Sequence, residues 1–168
     1  MAETNLRGYS IDGRLNKMDV DVITLTPDTA TEECLAGDVI FQADELPNMV
    51  SVDAGTCMVH SIGLLDDDDK GQAIDIVFMD TTGLLDAGDD GGEIDAADGV
   101  IPDAILGVVQ ITSYFDGIAW QYGYKTNIGL VLKAAAGTKS IYVSAVNRGS
   151  TATWSAAGLR LQIGVIKD

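Results

Sequence analysis

Leu159-Arg160-Leu161-Gln162-Ile163-Gly164-Val165 alternates large apolar residues with polar or small ones over seven positions. Successive side chains of a strand point to opposite faces. Leu159, Leu161, Ile163 and Val165 therefore share one face, and Arg160 and Gln162 face out. The same period runs through Met18 to Thr26. There Met18, Val20, Val22 and Thr24 fall on one side, and Asp19, Asp21, Ile23 and Leu25 on the other. Ala73 to Met79 puts Ile74, Ile76 and Phe78 in phase, and Gly117 to Tyr124 does the same for Trp120, Tyr122 and Tyr124.

Shorter or denser apolar runs fill the gaps. Asp38 to Gln42, Met49 to Val52, Thr56 to Leu65, Ile105 to Phe115, Ile128 to Leu132 and Ser140 to Val146 all read as strands, separated by Gly, Asp or Asn. The pattern predicts an all-β sandwich or barrel of about eight to ten strands, with less than about a tenth helix. One helical turn could start at Pro102, since Pro suits the first helical position. Residues 1–17 lack the alternation and read as an N-terminal arm. Residues 18–168 read as a single β domain, with acidic loops at 66–70 and 86–98.

The composition supports many short strands. The chain has 168 residues, 46% of them hydrophobic, with 19 Gly, 3 Pro and 6% aromatics. This length buries enough surface to stand without metal or disulfide staples. The two cysteines, Cys34 and Cys57, are too few for a disulfide framework. They read as reduced thiols, Cys57 buried on a strand and Cys34 in a loop, with a Cys34–Cys57 bridge as the alternative.

The net charge of −16 argues against nucleic acid and against an anionic membrane surface as partners. No apolar stretch approaches the 18 residues of a membrane-spanning helix. Met1 to Asp19 has no apolar core of signal-peptide length, so export by that route is not expected. The charge is unevenly placed, at −8 over residues 1–65, −12 over 66–103 and +4 over 104–168. Different parts of the chain are thus expected to face different things.

No catalytic constellation is legible, and neither a cofactor nor a metal is expected. His60 is the single histidine, inside a strand pattern, and no Gly-x-Ser-x-Gly accompanies it. One histidine and two scattered cysteines make no zinc spacing. Asp66-Asp67-Asp68-Asp69-Lys70 reads as a solvated loop between strands, with a calcium site as the alternative. Asp86 to Asp98 fails the EF-hand pattern, because Gly88 and Ala97 stand where ligands are required. It reads as a long exposed loop.

Five of the ten aromatics lie between Tyr114 and Tyr124. Trp120, Tyr122 and Tyr124 mark a core or subunit-interface face, or else a platform for stacking sugars.

The C-terminal half resembles a family of tailed-bacteriophage virion proteins, the small capsid decoration or cement proteins. The residues that carry this are Ile105 to Val109, Lys125 to Ala135, Ile141 to Gly149 and Leu159 to Val165, with Ala73 to Phe78 from mid-chain. The likeness covers roughly residues 50–168 and includes no catalytic motif. It implies a jelly-roll-like unit, a homotrimer, attached to the outside of a capsid shell. The partners it implies are the major capsid protein and further copies of the chain, with synthesis in the host cytoplasm and no enzymatic activity. The arm residues Arg7, Tyr9, Ile11, Arg14 and Lys17 are expected to contact the shell. The alternative is a carbohydrate-binding or adhesive module using the Trp120, Tyr122 and Tyr124 face. A hydrolase centred on His60 is a third reading, and it requires a carboxylate or hydroxyl within hydrogen-bond reach of that ring.

Overall fold

A computed structural model describes residues 19–81, 85, 91–94 and 104–168. Among these residues there is no α-helix. The nine strands are β1 (Asp19–Leu25), β2 (Val39–Leu46), β3 (Thr56–Asp66), β4 (Ile74–Met79), β5 (Ile105–Ile111), β6 (Tyr114–Asp116), β7 (Gln121–Lys133), β8 (Ile141–Asn147) and β9 (Leu159–Lys167). They form a five-stranded sheet in the order β1-β9-β3-β7-β6 and a four-stranded sheet in the order β2-β8-β4-β5.

Every named pairing is antiparallel. With the three-residue β6 set aside, the chain is one long hairpin. β1 pairs with β9, β2 with β8, β3 with β7 and β4 with β5. Successive pairs of this hairpin fall alternately in the five- and four-stranded sheets. A hairpin rolled up in this way is a jelly roll. The all-β expectation and the strand number therefore hold.

The core lies between the sheets and follows the alternation. Leu159, Leu161, Ile163 and Val165 of β9 are fully buried, while Arg160 and Gln162 are exposed. Facing them from the other sheet are Ile74, Ile76 and Phe78 of β4 and Val143 and Ala145 of β8. Trp154 and Phe41 are among the largest fully buried side chains.

The two sheets differ on their outer faces. Val39, Val77, Met79 and Val146 lie outside the four-stranded sheet yet are buried, in a second cluster with Leu85. Leu85 belongs to the β4–β5 connection, and its N–H donates to Gln42 Oε1 at 2.9 Å. Further along, Gly91 N–H donates to Val39 O at 2.6 Å and Val39 N–H to Gly92 O at 2.8 Å. Backbone groups at the start of β2, one of the two edge strands of the four-stranded sheet, are therefore paired rather than left as a template for another chain. Of the 86–98 stretch, only 91–94 are described: Gly91 and Gly92 are half-buried against β2, and Glu93 and Ile94 are exposed. The rest of that stretch, the turn at Pro102 and residues 1–17 lie outside the described residues.

Three strand assignments change. Met49 and Val50 are buried but sit in a bend, held by Val50 N–H on Lys139 O at 3.3 Å. Their apolarity reflects burial and carries no strand pairing. The Ile105–Phe115 run breaks at residues 112–113 into β5 and β6, which belong to different sheets. Gly117–Tyr124 and Ile128–Leu132 merge into one strand, β7, which begins at Gln121. Asn127 and Gly129 there adopt positive φ, +56° and +68°, where the register against β3 shifts.

Candidate functional site

The open outer face of the five-stranded sheet is where the chain can meet something else. On β3 the residues Cys57, Val59, Ile62 and Leu64 point inward. A register shift between Val59 and Ser61 leaves His60 at a bulge, and Ser61 and Gly63 then face out. Opposite them on β7, Thr126 pairs with Ser61, Tyr124 with Gly63 and Tyr122 with Leu65. On β1, inward Ile23 and Leu25 force Val20 and Val22 outward, and these two are 68% and 62% exposed. Val131, Tyr124 and Phe115 are similarly bare.

Small residues hollow this face. A side chain at Gly63 would collide with the Tyr122 phenol, and one at Gly164 with the Ser61 hydroxyl. Tyr122 thus lies over Gly63 and buries it, and its Oη comes within 3.4 Å of Gln162 Oε1. The Tyr122 and Tyr124 rings are stacked within 19° of parallel, with centroids 6.5 Å apart. Beside them runs a groove of about 330 Å³, bordered by Val22, Thr126, Gln162 and Gly164.

Trp120 is not part of that pair. It precedes β7, in the turn after β6, and its ring packs on Phe115 with centroids 5.9 Å apart. Gly117 N–H closes the turn on Trp120 O at 2.8 Å. At the tip, Ile118 is 102% exposed. Phe115, Ile118 and Trp120 form an apolar knob that the sequence reading did not single out, apart from Trp120. The legible signal was Ile118, an apolar residue beside Gly117 in a turn.

His60 is exposed. It lines a depression of about 260 Å³ with Ser61 and Asp21. Among the described residues the ring has no hydrogen-bond partner, so the geometry the hydrolase reading requires is not assembled there. The Asp21 carboxylate is held instead by Lys167 Nζ at 2.8 Å and Val22 N–H at 2.8 Å. The Lys167 contact, foremost, holds the Asp21 carboxyl below the usual range.

The four-acid run is structural, and its expected exposure is corrected at Asp66, which is fully buried. Asp66 ends β3 and accepts backbone N–H groups from Asp68 at 3.2 Å, Lys70 at 2.9 Å and Gly71 at 2.8 Å. Burial raises its pKa, against the lowering effect of those hydrogen bonds. Asp67 pairs with Arg160 at 2.6 Å. Asp68 accepts Ser155 N–H at 2.6 Å and Ser155 Oγ at 2.9 Å. The run therefore ties the β3–β4 turn to the segment entering β9. Among the described residues no group of three or more His, Cys, Asp and Glu is arranged to hold a metal ion.

Cys34 and Cys57 are both buried thiols. Burial, foremost, pushes the Cys57 thiol up to about 11, which makes it a poor nucleophile. Among the described residues no helix is long and apolar enough to cross a membrane.

No family model matches the chain, and no curated protein does. Among the solved structures similar to it, two align over most of their length. A chain from the capsid of Ralstonia phage GP4 is 18% identical, with a TM-score of 0.44, covering 98% of this chain and 93% of that one. A chain from Desmodium yellow mottle tymovirus is 11% identical, with a TM-score of 0.27, covering 99% of this chain and 90% of that one. Likenesses of that size carry no residue roles across, and the function proposed next is argued from this chain's own residues.

Proposed function

We propose that this chain is a structural virion protein that binds the outer surface of a phage capsid as a homotrimer and cements the shell. The observation that carries the reading is the apolar knob at the β6–β7 turn, where Ile118 is 102%, Phe115 62% and Trp120 40% exposed. Apolar side chains held out to water together on one turn mark a protein contact, and Trp is enriched at such contacts. The resemblance carried by Ile105–Val109, Lys125–Ala135, Ile141–Gly149 and Leu159–Val165 supports the same role. These segments lie in β5, β7, β8 and β9, and β7 is the strand that leaves the knob.

Charge supports a division of labour. The C-terminal third is at +4, whereas the first 103 residues carry the acids. A −16 protein displayed at high density stays soluble through that acidic surface, and the knob, with Asp116 as its one acid, remains free for contact. In this reading Arg7, Arg14 and Lys17 of the arm meet shell carboxylates, with Tyr9 and Ile11 adding apolar contact.

The test is co-sedimentation with purified capsid shells of the phage that encodes the chain. Full-length protein should pellet with shells to saturation, and deletion of residues 2–17 should weaken binding several-fold while leaving the fold intact. If the deletion binds as well as the full chain, the arm has no role. If neither pellets, the shell reading is wrong.

A further inference from the structure

The stacked tyrosine pair stands apart from the knob and borders a groove of its own. Its lining is aromatic and polar at once. It presents the Tyr122 and Tyr124 rings, the Ser61 and Thr126 hydroxyls and the Gln162 amide, and no charged side chain borders it. Gly63 seats the Tyr122 phenol and Gly164 the Ser61 hydroxyl, so the two glycines fix where these side chains stand along the groove.

That combination selects a ligand class. An anion would find no cation in the lining and would be repelled by a chain of net charge −16. A cation would find no carboxylate there. An added peptide strand needs unpaired backbone groups at a sheet edge, but the groove lies over the outer face of the sheet, where β9 and β3 are paired on both sides. A neutral polyhydroxylated ring fits what remains. Its C–H face packs on an aromatic ring, and its hydroxyls exchange hydrogen bonds with amide and hydroxyl groups. Tyr124 is 59% exposed, so its ring is open to such packing.

We propose that the groove between Val22 and the Tyr122–Tyr124 pair is a binding site for a neutral saccharide. Tyr124 supplies the packing surface, and Gln162, Ser61 and Thr126 supply the hydrogen bonds. This goes beyond the shell role and uses none of Phe115, Ile118 or Trp120. Its failure would leave shell binding standing, and a failure of shell binding would leave the groove standing.

The experiment titrates the full chain with maltohexaose, cellohexaose or chitohexaose and follows backbone amide resonances, with oligogalacturonate as the anionic comparison. One of the neutral hexasaccharides should shift the resonances of residues 61–63, 122–126 and 162–164, with a dissociation constant on the order of 1 mM. Tyr124→Ala should weaken that binding about fivefold, the worth of one aromatic packing contact. Gln162→Ala should weaken it as well, and circular dichroism should show both variants folded. The proposal is overturned if no neutral hexasaccharide shifts these resonances at about 10 mM. It is equally overturned if oligogalacturonate binds more tightly, or if folded Tyr124→Ala binds as well as the unaltered chain.

Discussion

Replacing Asp66 with Ala removes a buried carboxylate that receives three backbone N–H groups, from Asp68, Lys70 and Gly71. Each hydrogen bond to a charged acceptor contributes about 1.5 kcal/mol or more when its donor cannot be rehydrated. Lys70 is exposed and Gly71 half-exposed, so water recovers part of that loss. Removing the carboxylate also relieves the desolvation that raises its pKa. The balance is a destabilisation of about 2–3 kcal/mol, a large share of the 5–15 kcal/mol typical of a domain. Asp66→Asn can keep its one oxygen at the position that serves Lys70 and Gly71, and then turns its NH₂ toward the Asp68 donor. It should cost about 1 kcal/mol. Urea unfolding at pH 7 measures both, as shifts in midpoint at constant slope. If Asp66→Ala lies within about 0.5 kcal/mol of the unaltered protein, the carboxylate does not organise the β3–β4 turn. If Asp66→Asn costs as much as Asp66→Ala, counting acceptors is the wrong physics.

Burial, with the Asp28 charge as a second cause, raises the Asp44 pKa above 3.8. The fold therefore favours protonated Asp44, and its contribution is lost as pH rises from 3.8 through the raised value. Asp44→Asn should gain stability relative to the unaltered chain at pH 7 and gain none at pH 3, by urea unfolding at both. Asp21 runs the opposite way, because its carboxyl is held below 3.8. Asp21→Asn should lose stability at pH 7, with the deficit disappearing as pH falls through the lowered value. Gly55→Ala would put a methyl 2.8 Å from the Val52 carbonyl oxygen, in backbone that cannot easily yield. It should cost about 1–3 kcal/mol by thermal unfolding, and a neutral result would mean the turn is looser than described. Phe115→Asp with Ile118→Asp should leave the circular dichroism spectrum unchanged and lower the mass at sedimentation equilibrium from three times 17.6 kDa to one. A trimer that survives both changes assembles through another surface.

Strand periodicity was readable where a strand has one wet and one dry face, as β9 does. β8 is buried on both faces, so it reads as a dense apolar run, and its partners could not be named from sequence. Met49 and Val50 misread for the reason that burial in a bend leaves the same composition as burial in a strand. The break at residues 112–113 was invisible because a strand can change sheets without Gly or Pro. Asp66 was hidden among three identical neighbours, since only position at the strand end distinguishes a buried carboxylate from a solvated one. At the site, Tyr122 and Tyr124 were legible from their spacing. Trp120 shares that spacing but lies before the strand begins, and the glycine floor beneath Tyr122 depends on cross-strand register, which one strand's sequence does not contain.

Electron cryomicroscopy of shells saturated with the chain tests the shell role most directly. The account predicts added density on the outer surface in three-fold units, each fitting the nine-stranded sandwich, with the Ile118 turn against a neighbouring protein. Bare shells, with the chain left in the supernatant, would contradict it, as would density on the inner surface or a unit whose Ile118 turn points only into solvent.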